Sequence, residues 1–237
     1  MDWKTYHTTT IKQEFLYRFL PMHRLEQFLR SGNIWFSRAD KFGDKLECVK
    51  IDDFSNQKLN YEAIRLRKKK TLISCWHLAN IESVAMWDTY VSKNEDRRTT
   101  AIKFNRKNLV ELLSTSEFQT KESSDIKYVH GKVQYKNLVN VNENRLSRAK
   151  VKYAAFRKEN AFKYESEYRF TVKNDSIFKN EGINFKIGNP NNIDFNILIN
   201  PLLDKEEIDE RTDKINNLGF LDKVQKSNLY NWFHANE

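Results

Sequence analysis

The sequence predicts an α+β fold: one domain over residues 1–237 with a mixed, mostly antiparallel sheet and flanking helices. Three observations predict it. Short β-prone apolar stretches alternate with amphipathic or charged stretches of helical spacing. No internal repeat or low-complexity segment interrupts them, and 6 Gly and 3 Pro in 237 residues exclude a linker-rich chain. The length is enough to bury a sizeable core, and with 13% aromatic residues that core is expected to be rich in Phe, Tyr and Trp.

The elements follow in order. Glu14–Leu20 (EFLYRFL) has strand propensity, with Leu16, Arg18 and Leu20 on one face and Phe15, Tyr17 and Phe19 on the other. Pro21 opens a helix carrying Leu25, Phe28 and Leu29, and Gly32 closes it. Asn33–Ser37 is a second strand, and Arg38–Glu47 breaks the pattern with a turn at Gly43. Tyr61–Lys70 reads as a charged helix, Thr71–Trp76 as a buried strand and Ile81–Val91 as a helix. Thr99–Phe104 is a strand, Arg106–Leu113 a short helix and Ile126–Tyr135 an alternating strand. Arg145–Lys158 reads as a basic amphipathic helix. Tyr168–Val172 and Ile183–Ile187 are expected to pair with each other across a polar connection. Phe195–Asn200 is a strand, an acidic helix runs from Pro201 through Leu218, and Val224–Phe233 is read as an edge strand.

Net charge is +9, which points to polyanionic partners such as nucleic acid or phosphate-bearing ligands. Cations cluster at Arg65–Lys70 and Arg145–Lys158, acids at Asp204–Asp213. Cys48 and Cys75 are too few for a disulfide framework or a zinc site and read as small buried hydrophobes. No segment near Met1 resembles a signal peptide, and no apolar run approaches the ~20 residues that span a bilayer. The expectation is a cytoplasmic protein with no membrane partner.

The chain has no Gly-rich phosphate loop, Rossmann fingerprint, GxSxG elbow or HExxH, and its five histidines have no metal-ligand spacing. Serine-hydrolase and zinc-hydrolase chemistry are set aside, and no metal site is assigned. What remains is AFKYESEYRF at 161–170, where Glu165 and Glu167 stand two positions apart among aromatics. On a strand both would project from one face, and an unpaired buried carboxylate costs several kcal/mol. That face is therefore solvated, paired or lining a cleft. Arg169 lies on the same face and can neutralise the pair. Arg18, central in an apolar strand, needs either a phosphate or an acid such as Glu47 or Glu167. Ser37 and Ser74 are hydroxyls at strand ends or interruptions, more often backbone-satisfying than catalytic. Asp44 and Glu47 share a loop with Asp40, where binding groups and turn residues both occur. Trp76, Trp87 and Tyr90 could stack on a ring, although the helical spacing of Trp87 also fits a core position.

The ordered segments YRF (Tyr17–Phe19), LRSGNIWFSRADKFGDKLE (Leu29–Glu47), LISCW (Leu72–Trp76), MWDTY (Met86–Tyr90), KYESEYRF (Lys163–Phe170), ILINP (Ile197–Pro201) and QKSNL (Gln225–Leu229) resemble the prokaryotic domain of unknown function 2971 family. Where that family typically shows Phe-Asn-Asp-Pro before a glutamate, this chain has Phe42-Gly43-Asp44-Lys45 and then Glu47. The resemblance implies a toxin-like or anti-phage defence effector, with an antitoxin or defence-system protein as a possible partner.

A more distant similarity of layout is to ADP-ribosyltransferases, which carry Arg or His on an early strand, Ser or Tyr on a middle element and a late Glu-x-Glu. Arg18, Ser74 or Tyr90, and Glu165-x-Glu167 occur in that order, although Ser74-Cys75-Trp76 stands where one branch has Ser-Thr-Ser. This likeness implies NAD as substrate, with Arg18 holding its phosphates or ribose, an aromatic stacking the nicotinamide, and Ser37 and Ser74 as further contacts. Glu167 would bind the ribose hydroxyl and stabilise charge at the anomeric carbon, and Glu165 would orient or deprotonate the acceptor. Two alternatives stand beside the transferase. One is a metal-dependent nuclease using Asp44, Glu47, Glu165 and Glu167. The other is a non-enzymatic nucleic-acid-binding module in which acids and arginines form a structural network.

Overall fold

The computed structural model describes residues 1–6, 10–44, 46–49, 54–55, 58–88, 100–116, 126–137 and 154–234. The chain opens with strands β1 (Trp3–Tyr6) and β2 (Phe15–Leu20), helix α1 (Met22–Ser31) and strand β3 (Asn33–Arg38). The short strands β4 (Phe54–Ser55) and β5 (Lys58–Leu59) precede α2 (Tyr61–Lys69) and the long strand β6 (Thr71–Ala79). Then come α3 (Val84–Asp88), β7 (Thr100–Asn105), α4 (Arg106–Thr115), β8 (Lys127–Lys132), β9 (Gln134–Lys136) and β10 (Arg157–Glu159). The last elements are β11 (Glu167–Lys173), β12 (Gly182–Lys186), β13 (Asn196–Ile199), α5 (Lys205–Asn217) and α6 (Tyr230–Phe233). The fold class is α+β with mostly antiparallel strand pairing, as the sequence predicts. Among the described residues no helix is long and apolar enough to cross a membrane.

The chain forms two compact units, each assembled from discontinuous segments: residues 1–10, 34–76 and 117–185 in the first, and 11–33, 77–116 and 186–237 in the second. In the first unit β1 runs parallel to β8, which pairs antiparallel with β11, with Arg169 opposite Gly131 and Thr171 opposite Val129. β11 neighbours β6, and β6 pairs antiparallel with β3 through Ser37 opposite Ile73. β10 and β9 form a separate parallel pair. Tyr6, Ala39, Cys48, Ile73, Val129 and Phe156 cluster in its core, with the Tyr6 and Phe156 rings stacked at 4.5 Å. Trp3 meets Phe170 edge-on at 5.5 Å.

The second unit pairs β2 with the end of β6 and with β7, and β7 with β13, all antiparallel. Phe19 stands edge-on to Trp87 at 4.6 Å, and Phe28 edge-on to Phe195 at 5.3 Å. The aromatic core expected from composition is therefore present in both units. Gly32 caps α1 at φ 66°, and a Cβ there would lie 1.8 Å from the carbonyl oxygen of Gly188. Only glycine fits both demands.

Four expectations are corrected. β12 pairs with β3, not with β11. Gly182 permits this approach, since a Cβ at that position would stand 2.4 Å from the Phe36 carbonyl oxygen. The basic helix does not extend to Lys158: residues 145–153 lie outside the described residues, Ala154–Phe156 is one 3-10 turn and Arg157–Glu159 is β10. Val224–Phe233 is not an edge strand, because Val224 makes a single bridge to Ile197 and the chain then turns into α6. The helix expected over 81–91 covers Val84–Asp88, and residues 89–91 lie outside the described residues. β1, unread in the sequence, pairs in parallel with β8 and buries Trp3 and Tyr6.

Candidate functional site: a buried charge cluster

Glu165 and Glu167 do not share a strand. Asn160–Glu165 is a 3-10 segment, Ser166 turns the chain at φ 42°, ψ 51°, and β11 begins at Glu167. The left-handed residue does what strand alternation was expected to do: both carboxylates converge on one cation. Lys158 Nζ donates to Oε2 of Glu165 and, at 2.7 Å, to Oε1 of Glu167. The same ammonium lies 4.6 Å from the centroid of the Phe162 ring. β10, paired with β9 through Lys158 opposite Tyr135, positions it.

Arg169 closes the cluster. Its Nε donates to Oε2 of Glu167, and its two terminal nitrogens form a fork on Glu47 at 2.6 and 2.9 Å. Nη1 also donates to the Ala155 carbonyl at 2.6 Å. The guanidinium is fully buried, and Glu47, Glu165 and Glu167 are 1%, 2% and 6% exposed. Both acids that the sequence offers as partners of Arg18 are thus held by Arg169. The expected neutralisation of the glutamates by Arg169 is realised for Glu167.

Burial by itself would raise the Glu167 carboxyl. Arg169, a hydrogen bond with Glu165 and Lys158 outweigh it and hold Glu167 well below the usual carboxylate range. Burial would likewise lower Lys158, but Glu167 and Glu165 raise it above the ordinary lysine value. Tyr135, whose hydroxyl accepts from the Glu167 backbone N–H at 2.8 Å, is pushed well above its ordinary value by burial and by Glu167. Cys48 is buried at φ 60° beside Glu47, and its thiol is pushed up to about 12, first by burial and then by that carboxylate. Cys75 is raised likewise, first by burial and then by Glu167. Both cysteines are thiols at neutral pH; Cys48 is the buried small hydrophobe expected, whereas Cys75 is half-buried.

The remaining candidates separate. Asp44 Oδ1 accepts from the Leu46 N–H at 2.8 Å, and the Asp44 carbonyl accepts from Lys68 Nζ at 2.9 Å, so this residue shapes the turn before Glu47. Asp40 is forked by Arg38. Ser74 is buried and accepts from the Trp76 indole at 3.0 Å. Ser37 is half-buried on β3. Arg18 and Trp87 belong to the second unit. Arg18 is half-buried on β2, opposite Ile102. Trp87 is fully buried and donates to Glu82 at 3.2 Å, a core position. Tyr90 lies outside the described residues.

Sequence reading missed Lys158 as a member of this cluster, because it sits in an assumed helix. The one available signal was stoichiometric: two carboxylates among aromatics require more than Arg169 alone. It also missed Glu82, which accepts from Trp87, from the Ser227 hydroxyl at 2.8 Å and from the Asn228 N–H at 2.9 Å.

Chemically, the first unit holds an ionised carboxylate, Glu167, fixed between two cations in a region of little solvent. A magnesium site built on Asp44, Glu47, Glu165 and Glu167 is disfavoured by Lys158 and Arg169, which already occupy carboxylate oxygens and would repel a divalent cation. Among the described residues no group of three or more His, Cys, Asp or Glu is placed to hold a metal ion.

No curated protein and no solved structure matches the chain. Residues 86–170 match the family described as Protein of unknown function (DUF2971), and over that segment, which includes MWDTY and KYESEYRF, the resemblance read from the sequence is borne out.

Proposed function

We propose that the protein is an NAD-dependent ADP-ribosyltransferase, a toxin-like or anti-phage defence effector, with Glu167 as its central carboxylate. One observation carries this reading. Three buried carboxyl groups (Glu47, Glu165, Glu167) converge on two cations (Lys158, Arg169), and the one between both cations, Glu167, is held ionised. Cohesion alone does not call for such a cluster, since apolar side chains of similar volume often serve stability as well or better. An ionised carboxylate in a poorly solvated place is suited to steadying a positive charge that develops during reaction.

In the proposed reaction the bond between ribose C1′ and the nicotinamide nitrogen breaks, and its electron pair leaves with nicotinamide. Positive charge grows at C1′, stabilised by Glu167, which also accepts from a ribose hydroxyl. The acceptor nucleophile forms the new bond to C1′, and its proton passes to Glu165.

A second reading has its own support. Each oxygen of Glu167 already accepts from a cation, Oε1 from Lys158 and Oε2 from Arg169. On this reading the cluster is structural and the protein is a non-enzymatic nucleic-acid-binding module. Incubation with labelled NAD, nucleic acid and cell extract separates the two. Label transfer or free nicotinamide supports the transferase; absence of both leaves the binding module.

A further inference from the structure

The net charge of +9 is carried by one unit. The first unit has 25 Lys and Arg against 16 Asp and Glu, a net of +9, whereas the second has 16 against 16. The buried cluster does not account for the excess, since it holds three acids and two cations. The densest run is Arg65-Leu66-Arg67-Lys68-Lys69-Lys70, on and just after α2.

α2 divides this run between two faces. Ile64 and Lys68 are buried. Lys68 is committed to the Asp44 carbonyl and Arg67 to the Cys48 carbonyl at 2.8 Å. Tyr61, Arg65 and Lys69 recur at i, i+4 and i+8 and therefore form one stripe, with about 6 Å of rise between successive members. Tyr61 is 67% exposed, Arg65 is exposed and Lys69 is half-buried. The stripe is held firmly at both ends. Asn60 caps the helix by accepting from the Ala63 N–H, and the carbonyls of Lys69 and Lys70 accept from Phe178 and Asn174 at 3.1 and 3.0 Å. Those last bonds bring the segment bearing exposed Lys179 against the end of the helix.

We propose that this face of the first unit binds the backbone of a single-stranded nucleic acid. Arg65, Lys69 and Lys70 contact successive phosphates, and Tyr61 provides a stacking surface for a base. An aromatic ring in line with spaced cations fits a strand whose bases are accessible, because stacking adds to phosphate contact there. A membrane surface would favour a broad apolar face, and here the outward stripe is one ring followed by cations. The proposal deepens the transferase reading by naming its acceptor class, yet it is tested without NAD, so the two can fail separately.

The test is fluorescence anisotropy of the full chain with a labelled single-stranded DNA and RNA 15-mer across a salt series. Wild type is expected to bind with a log–log salt slope that becomes shallower by about 2 when Arg65, Lys69 and Lys70 are all changed to Glu, matching three phosphate contacts on a single strand. Tyr61→Ala is expected to weaken binding several-fold without changing the slope. Lys205→Glu with Lys214→Glu, on α5 of the second unit, is expected to change neither. Circular dichroism establishes that the variants are folded. Undiminished binding by the triple variant overturns the proposal, as does no binding by wild type at low salt. Preferential binding to phosphatidylserine vesicles, lost in the same variant, reassigns the face to membranes and also overturns it.

Discussion

Arg169 grips Glu47 across 122 positions of chain, with Nη1 2.6 Å from one carboxylate oxygen and Nη2 2.9 Å from the other. This fork ties the loop after β3 to the strand that begins at Glu167. Because the guanidinium is fully buried, the contact is either kept intact or lost at high cost.

Arg169→Met leaves Glu47 and Glu167 buried without their shared cation. Breaking a buried pair from one side costs about 3–5 kcal/mol, and a chain of this length loses about 2–4 °C per kcal/mol. A melting-temperature drop on the order of 10 °C is expected. Arg169→Lys should recover little, because an ammonium cannot fork a carboxylate. A near-wild-type melt for both variants would mean the fork does not hold in solution.

The cluster sets a pH window. Glu167 has a folded value below its unfolded one, so its stabilisation is complete above the ordinary Glu value of about 4.3 and is lost as pH falls through the folded value. Lys158 has a folded value above its unfolded one, so its share is complete below about 10.4 and is lost as pH rises through the folded value. Urea midpoints should therefore be level between these limits and fall on both sides. Glu167→Gln should flatten the acid limb; an acid limb identical to wild type contradicts the assignment.

Ser166 is where the two glutamates are made to converge. At φ 42° it occupies the left-handed region, which costs a non-glycine residue roughly 1 kcal/mol. Ser166→Gly is expected to be neutral or stabilising by up to that amount. Ser166→Val, β-branched in the same conformation, should destabilise by more than about 1 kcal/mol. Chemical denaturation of the pair checks the sign; equal stabilities would remove the turn from the account.

The fold and the site were legible to different depths. Segments with one dominant signal were read nearly residue for residue. Examples are Phe15–Leu20 from its alternation and Met22–Ser31 between Pro21 and Gly32. The pairing of β12 was not legible, because it depends on how closely Gly182 lets two backbones approach. The carboxylate pair was singled out for a reason that the fold replaces: convergence comes from the turn at Ser166, not from strand period. Lys158 was hidden because residues 145–158 satisfy helical amphipathicity on paper, while the described part of that stretch is a turn and a strand. QKSNL gave no physical reason for its presence. Ser227 and Asn228 supply it by donating to buried Glu82.

That carboxylate anchors the end of the second unit. Glu82→Ala removes the acceptor for the Trp87 indole, the Ser227 hydroxyl and the Asn228 N–H, and each buried donor left unmatched costs about 1–3 kcal/mol. Hydrogen exchange should accelerate in peptides covering 224–234 before it does in β2 or β7. Uniform acceleration, or none, would show that Glu82 is not the anchor.

The central claim is that Glu167 stabilises charge on NAD, and nicotinamide release by Glu167→Gln compared with wild type and Glu165→Gln tests it most directly. Wild type is expected to release nicotinamide, and Glu167→Gln to lose about 100-fold or more of that rate, the scale of removing one electrostatic stabiliser. Glu165→Gln should keep more nicotinamide release than transfer to acceptor. All three proteins must melt above the assay temperature. No release by wild type, or wild-type release by a folded Glu167→Gln protein, contradicts the account.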